Sequence, residues 1–518
     1  MNDNKKKGSI IKNVFSVTGI VVVAKLLGFV KQMITAGKFG ATIDTDLISL
    51  SQNLIGNLDY LLVQMFLTAF IPIYIGIKKE GTEKGNRFVT HSLIVWVLIS
   101  SVLALILLVF TPIVAKIVAP SYTGELLSRL ELYIRIYAPS ILLIITCAVF
   151  NALLRANKRF IPGEMVSVIQ SVTMILLVVF FGDAVGVKIL IISYFVYSIL
   201  NVFYLSFVSR KEWRFSFKKP LFDDNIKNLV SMCVPLLFGY SMIFVNQQVD
   251  AIICSGLGEG IVTAIGYAAV LTNLITTLIG SICSVLFTYV SQYTANGKEK
   301  EAAALIRQSA VLFTTALVPI CTIIVMNAGD IVRIVYGRGA FSDEAVFNTS
   351  LALIGYGIAI VFYAYRELFS RLQYSYKDSR QPMINSTIGI VINILLSIIL
   401  AKIMGILGIT IASSIATIVC SILNVVTSRK HNPYVRVSAT FRYMPFWIGG
   451  LIVCSAVSWF LGTQIGDDKY LIRFALTVII AFAGYGLICL PVIKNNMDKV
   501  LNIIKRRVLP KNLCLKMP

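Results

Sequence analysis

Apolar runs of about 20 residues recur from one end of the chain to the other, with short polar segments between them. A helix of that length crosses the hydrocarbon core of a bilayer, so the pattern predicts about fourteen membrane-spanning helices. No polar block is long enough to fold as a separate soluble domain. The predicted spans are 14–38, 46–77, 88–118, 126–154, 162–182, 185–208, 226–255, 260–292, 304–327, 345–374, 384–404, 406–428, 443–463 and 470–493.

Composition and charge agree with an all-α integral membrane protein. Of the 518 residues 57% are hydrophobic and only 14% are charged, yet the net charge is +22. The basic residues lie in alternate connections, and the opposite connections carry acids such as Asp183 and Glu259. By the positive-inside rule this places both termini in the cytoplasm. The charge therefore indicates orientation in a membrane rather than binding of nucleic acid.

The nine cysteines and two histidines are scattered singly, so neither a disulfide framework nor a metal site is expected. The apolar run after the basic N-terminus is interrupted by lysines and lacks a small-residue cleavage site, so we expect a retained first helix. The sequence shows no Walker A, HExxH or GxSxG motif, which disfavours an ATP-driven pump or a membrane-bound enzyme.

An internal repeat relates the second and eighth predicted spans. SQNLIGNL, Ser51 to Leu58, resembles LTNLITTL, Leu271 to Leu278, and the segments KFGATID and GLGEGIV precede them. Both copies start from the cytoplasmic side, so the repeat is parallel. We predict an N-terminal lobe of helices 1–6 in 1–210 and a C-terminal lobe of helices 7–12 in 220–430. Helices 13 and 14 follow in 440–495, and a basic cytoplasmic tail occupies 496–518.

Two lysines interrupt the first span, within AKLLGFVKQM. A lysine at mid-bilayer costs about 2.5 to 3.5 kcal/mol on insertion scales. Lys25 and Lys31 therefore either extend to the membrane surface or face a water-filled cavity between the lobes. We favour the cavity, with the helix bending at Gly28 to bring both charges into it.

Further charged residues lie within other spans. Arg366 and Glu367 are adjacent, so we expect them not to face each other and at least one to point to a cavity or another helix. Asp250 ends the polar run VNQQVD, which suits either a cation-coupling carboxylate or a structural hydrogen bond.

Four segments in order resemble the MurJ (MviN) family of lipid II flippases, part of the MOP exporter superfamily. They are AKLLGFVKQMITAGKFGATIDTD near the start, AFIP from Ala69, YGRGAFSDEAV from Tyr336, and YSYKDSRQP from Tyr374. The resemblance implies a two-lobed transporter in the bacterial cytoplasmic membrane. Its cargo would be an undecaprenyl-diphosphate-linked saccharide, moved to the outer leaflet by alternating access.

The resemblance also implies roles for particular residues. It implies anion binding by Lys25 and Lys31 and links Asp250 and Asp378 to cation coupling. Because they are polar residues within the spans, Asn53 and Arg366 join the candidate substrate-binding set, and Asp46 joins the candidate cation-coupling acids. The family has arginine where Lys25 and Lys31 stand, and it has further cavity arginines where this chain shows Asn57 to Tyr60 and YAAVL. We expect no metal cofactor, a coupling Na⁺ or H⁺, and cell-wall synthesis enzymes as partners.

Three alternatives remain open. The cargo could be another polyprenyl-linked unit for capsule, exopolysaccharide or a teichoic-type polymer. A multidrug or cation antiporter of the same superfamily would depend on the acids more than on the lysines. A scaffold for cell-wall enzymes would tolerate loss of the intramembrane charges.

Overall fold

The chain is helical wherever its structure is described. The computed structural model describes the backbone of residues 2–435 and 437–508, and side chains in 19–237, 240–242, 244–435, 440–466 and 468–497. Within these ranges the chain forms α-helices and short 3-10 helices without a β-strand, so the all-α fold class is confirmed. Part of the predicted tail, 509–518, lies outside the described residues.

Eighteen α-helices are present in the described backbone. They are α1 (Asn2–Phe39), α2 (Ile43–Glu80), α3 (Thr82–Val109), α4 (Thr111–Val118), α5 (Gly124–Tyr137), α6 (Ser140–Ala156), α7 (Ile161–Val185), α8 (Ile189–Ser209), α9 (Asp224–Ser255), α10 (Ile261–Ala295), α11 (Glu299–Met326), α12 (Ala328–Tyr336), α13 (Asp343–Gly357), α14 (Ile360–Ser375), α15 (Arg380–Met404), α16 (Ile406–Ser428), α17 (Met444–Gln464) and α18 (Tyr470–Val508).

Length and composition identify the helices that can cross a membrane. Eleven stretches in the described chain qualify, or thirteen when the two bent pairs each count as one span. One stretch, Ile161–Ser209, contains both α7 and α8, which correspond to the fifth and sixth predicted spans. Each of the fourteen predicted spans therefore has a helical counterpart.

The order of helices repeats along the chain. Helices α1 to α8 and α9 to α16 follow the same sequence of long, long, long, short, two half-length, long and long elements. Each element of the second set begins about 220 residues after its counterpart, as the sequence repeat predicts. The half-length helices α13 and α14 meet at a bend of 42°. The tenth predicted span is thus a broken helix, whereas α5 and α6 are separated at Ala138 and Pro139 but count as one membrane-crossing stretch, Gly124–Ala156.

Prolines mark where several helices begin. Pro112, Pro162 and Pro445 each occupy the second position of their helix, α4, α7 and α17. A proline there costs little, because the first turn of a helix has no internal acceptor for its N–H groups. Pro139 stands at the N-terminus of α6 and separates it from α5. The interruptions before α4 and α6 therefore have a local cause in the sequence.

The helices cluster into two compact units. The first unit is Met1–Thr263 with Arg338–Ala345, and the second is Ala264–Gly337 with Val346–Pro518. In the first unit α1 packs on α7, and α2 packs on α6 and α9. Helix α9, which the sequence analysis assigns to the second lobe, thus has its main neighbour in the first unit. The lobe boundaries at 210 and 220 stay a prediction.

The second unit includes the two C-terminal helices. Tyr443, Trp447 and Tyr485 form a buried cluster where α17 and α18 pack against α11. The Trp447 indole N–H donates to the Thr315 hydroxyl at 2.9 Å. Arg473 on α18 pairs through two nitrogens with the carboxylate of Asp330 on α12, Nε lying 2.8 Å from Oδ2. Because both side chains are largely buried, this pair fixes α18 to α12.

Replacing Arg473 with Met should lower the free energy of unfolding by about 3 to 5 kcal/mol, because Asp330 is left as an uncompensated buried charge. Thermal unfolding of the detergent-solubilised protein measures the loss. Adding Asp330→Asn should recover most of it. Lys84→Ala breaks only the exposed pair with Glu80 and should cost less than about 1 kcal/mol. Equal stability of Arg473→Met and wild type would contradict the conclusion that the Arg473–Asp330 pair fixes α18 to α12.

Candidate transport site

The two lysines of the first span lie on α1 with different environments. Lys25 is exposed and has the exposed apolar residues Val22 and Leu26 beside it, whereas Lys31 is half-buried. No described side chain forms a hydrogen bond or ion pair with either ammonium group; the backbone carbonyl of Lys31 accepts from the Thr35 hydroxyl. The described side chains therefore neutralise neither charge, and the roles predicted for Lys25 and Lys31 stay predictions.

Asn53 and Asp250 lie on two helices that pack together. The backbone carbonyl of Asn53 on α2 is 3.5 Å from the side-chain nitrogen of Gln248 on α9. The Asn53 side chain is exposed, and Asp250, two residues after Gln248, is half-buried. Gln248 thus directs part of the polar run VNQQVD towards α2, as expected for a helix in which only one segment is polar. The roles predicted for Asn53 and Asp250 stay predictions.

Asp46 takes part in a reciprocal capping arrangement. Its Oδ1 accepts from the Thr263 amide at 2.8 Å and from the Thr263 hydroxyl at 2.6 Å, at the first turn of α10. In return, the Glu259 carboxylate accepts from the Ile43 amide at the first turn of α2, at 3.1 Å. Carboxylates at helix N-termini satisfy free N–H groups and favour the helix dipole. This geometry favours a structural use of Asp46, and its cation-coupling role stays a prediction.

Three backbone segments cross closely beside these caps, and we call them the glycine junction: residues 37–42, 256–263 and 338–341. The Ala340 amide donates to the Gly37 carbonyl at 2.8 Å. Gly40 and Gly339 both have positive φ, of 67° and 61°, and a Cβ on either would collide with the carbonyl oxygen of the other segment. Only glycine permits this approach. The junction joins parts of the KFGATID, GLGEGIV and YGRGAF segments in the first unit.

A charged group on α14 lies in the second unit. Glu367 is 3.8 Å from Arg366 and 3.6 Å from Arg371. The expectation that Arg366 and Glu367 would not face each other is therefore wrong, because a long arginine side chain can fold across its own helix. Arg366 also stacks over the Tyr363 ring at 4.8 Å. One carboxylate shared by two guanidinium groups leaves the group with a net positive charge.

Asp378 lies in the connection between α14 and α15. Its Oδ1 accepts from the Gln381 amide at 3.1 Å, and its Oδ2 is 2.8 Å from His431 Nε2. The Gln381 amide, and then the His431 ring, hold the pKa of Asp378 below its usual range. Its stabilising charge is thus present at neutral pH and is lost only as the pH falls below the usual aspartate range. The contacts are those of a helix cap, and the cation-coupling role of Asp378 stays a prediction.

The structure also shows which partners the sequence analysis missed. The sequence did not indicate that Glu259 caps α2 or that His431 pairs with Asp378, because both contacts join residues far apart in the chain. Glu259 stands at the start of the repeated helix in GLGEGIV, and that position could have indicated a cap. His431 carries no such signal.

The fold and these residues together define a class: a polytopic helical membrane transporter with two repeated sets of helices. The predicted site residues divide between the units. Lys25, Lys31, Asn53, Asp46 and Asp250 belong to the first unit, and Arg366 and Asp378 belong to the second.

Comparison with known proteins identifies the family. The sequence profile described as "Lipid II flippase MurJ" matches residues 35–478. A probable lipid II flippase MurJ of Rhizobium tropici is 23% identical over 534 residues, covering 96% of this chain and 97% of the relative. The corresponding protein of Borreliella burgdorferi is 23% identical over 407 residues, with 77% and 79% covered. The chain therefore belongs to the MurJ family of lipid II flippases, and it is a multi-pass membrane protein.

Solved structures agree on the fold. A lipid II flippase MurJ in an inward closed conformation superimposes with a TM-score of 0.78 at 19% identity, covering 92% of this chain and all of that one. An inward-facing multidrug resistance MATE family transporter of the MOP superfamily gives 0.66 at 14% identity, with 81% and 96% covered. The predicted MOP architecture is confirmed.

Gly40→Ala should destabilise the glycine junction, because alanine at positive φ costs about 1 to 2 kcal/mol before any collision with Ala340 is relieved. A lower thermal unfolding temperature of the purified protein is the expected readout. Gly56→Ala is the matched control, since Gly56 lies on α2 with open space around its Cβ. Alanine there should be neutral or stabilising by up to about 1 kcal/mol. If both variants unfold at the same temperature, the close approach at Gly40 is not required.

Proposed function

We propose that the protein moves lipid II, a polyprenyl-diphosphate-linked saccharide, from the inner to the outer leaflet of the bacterial cytoplasmic membrane by alternating access. Family membership over residues 35–478 supports the cargo and the activity. The observation that carries the site assignment is the pair of intramembrane ammonium groups on α1, which no described side chain neutralises.

The chemistry of the cargo explains such a pair. A diphosphate is a concentrated anion, and an ammonium group gives it charge-assisted hydrogen bonds. The cost of placing Lys25 and Lys31 in the membrane is offset while they hold this anion. Lysine acts as a point charge without the bidentate geometry of arginine, so these contacts tolerate several phosphate orientations. The exposed Val22 and Leu26 beside Lys25 suit the polyprenyl chain.

Arg366 provides a second cationic position for the cargo. Because it shares Glu367 with Arg371 and rests on Tyr363, its guanidinium group is held in place while part of its charge stays unneutralised. Asn53 adds an exposed amide that can hydrogen-bond a sugar or a phosphate oxygen. The basic connections and both termini lie in the cytoplasm. Cargo moved to the outer leaflet is then available to cell-wall synthesis enzymes that act outside the membrane.

Charge at position 25 should decide activity. In cells depleted of their own flippase, Lys25→Arg should support growth, whereas Lys25→Ala and Lys25→Glu should not, because only the first keeps a cation for the diphosphate. Lys227→Ala is the control, since Lys227 is an exposed residue paired with Asp224 at the start of α9. Equal growth of all three Lys25 variants at equal expression would refute the anion-binding role.

The same cells report the cargo. Mass spectrometry of the polyprenyl-linked precursors that accumulate under Lys25→Ala should show lipid II. Accumulation of a different polyprenyl-linked saccharide would assign the transporter to another cell-surface polymer. An unchanged precursor pool would favour the alternative that the protein is a scaffold for cell-wall enzymes.

Among the three acids proposed for ion coupling, we choose Asp250 for the first test, because it is half-buried within α9 and ends the polar run VNQQVD. If Asp250 binds the coupling ion, dissipating either the membrane potential or the sodium gradient should slow flipping by the wild type. Asp250→Asn should flip slowly with or without the gradient. Asp44→Asn, which removes an exposed carboxylate at the start of α2, should keep the wild-type response. If neither dissipating the membrane potential nor dissipating the sodium gradient changes the rate of wild-type flipping, Asp250 does not bind a coupling ion.

A further inference from the structure

A buried carboxyl group lies near the middle of α2, apart from the residues assigned above. Asp59 is 7% exposed, and its Oδ2 lies 3.1 Å from the hydroxyl oxygen of Tyr194 on α8. Its second oxygen, Oδ1, is fully buried and has no hydrogen-bond partner among the described residues. The group therefore has one polar neighbour within bonding distance in a membrane-embedded core.

The surroundings of Asp59 hold hydroxyl groups rather than cations. The Tyr194 ring lies 5.0 Å from the Tyr137 ring and 5.1 Å from the Tyr197 ring. On α3, His91 lies by Asp223, and on α6, Cys147 packs near Phe150. On α9, Tyr240 contacts Tyr60 instead. The polar residues that surround the Asp59–Tyr194 pair are Tyr137 from α5, Ser140 from α6, Gln170 from α7 and Tyr197 from α8.

An ionised Asp59 would be an uncompensated charge. No lysine, arginine or histidine among the described residues pairs with it, and burying an isolated carboxylate costs far more than a folded protein can spare. Either a bound cation or a proton must neutralise the group. A divalent metal ion takes about six oxygen ligands, whereas Asp59 has a single hydroxyl in contact. A proton needs no further ligand.

The contact with Tyr194 is compatible with a protonated acid. The Tyr194 hydroxyl donates to Oδ2 at 3.1 Å, so Oδ2 is the carbonyl oxygen of the protonated group and the proton lies on Oδ1. The Ser140 hydroxyl donates to the Tyr137 carbonyl oxygen at 2.7 Å.

We propose that Asp59 is a proton-binding site of the first unit and that the proton is bound in the conformation described here. The inference goes beyond the proposed function and does not depend on the cargo. It gives the transporter a neutral acid that is separate from the capped or exposed carboxyl groups of the same helix, Asp46 and Asp44.

Infrared difference spectroscopy of the purified full-length protein in lipid tests the proposal directly, because a protonated carboxyl group has a C=O stretching band that a carboxylate lacks. At neutral pH, Asp59→Asn should lose the intensity of one carboxylic acid relative to wild type. Asp44→Asn should lose none, since Asp44 is exposed and paired with Arg129. An Asp59→Asn spectrum that superimposes on the wild-type spectrum in this region would overturn the proposal.

Tyr194→Phe provides a second test that does not depend on folding of Asp59→Asn. Removing the hydroxyl should shift the Asp59 C=O band to higher frequency without abolishing it, because the acid loses its hydrogen-bond partner. A purely structural tyrosine would leave the band unchanged. An unshifted carboxylic band in Tyr194→Phe therefore contradicts the proposal.

Discussion

A charge inside a membrane protein must be neutralised, hydrogen-bonded or reached by water, and this requirement explains the placement of nearly every ionised residue described above. Asp330 is neutralised by Arg473, and Glu367 is shared by two arginines. Asp46 is hydrogen-bonded by the first turn of α10. These contacts hold helices together, because removing one partner would leave the other charge buried and alone.

The same requirement separates structural charges from functional ones. Lys25 and Lys31 have no partner among the described side chains, although each raises the cost of inserting α1. Asp59 has a hydroxyl neighbour but no counter-charge in the part of the chain that the structure describes. A chain keeps such groups when something outside the protein supplies the missing charge. We propose that the missing partner is an anion for the lysines and a proton for the carboxyl group.

Much of the fold could be predicted from the sequence, because membrane insertion imposes a simple length rule on apolar runs. The all-α class and the repeat of about 220 residues both follow from hydropathy and from the segments around Ser51 and Leu271. The broken helices at Pro139 and between α13 and α14 were not expected, since both halves of each span are apolar. The packing of α9 on α2 was also missed, because it depends on contacts between helices that hydropathy does not encode.

The acids show why a site is harder to predict than a fold. Sequence alone gives Asp46, Asp378 and Asp59 the same description, an acid within or beside a span. Their differences arise from contacts with residues more than fifty positions away in the chain. Asp46 accepts from Thr263, Asp378 pairs with His431, and Asp59 accepts from Tyr194. The first two carboxylates have several donors or a histidine that stabilise negative charge, whereas the third has a single hydroxyl donor among the described residues. The role of such an acid therefore depends on whether residues distant in sequence provide the donors or counter-charge that an ionised carboxylate needs.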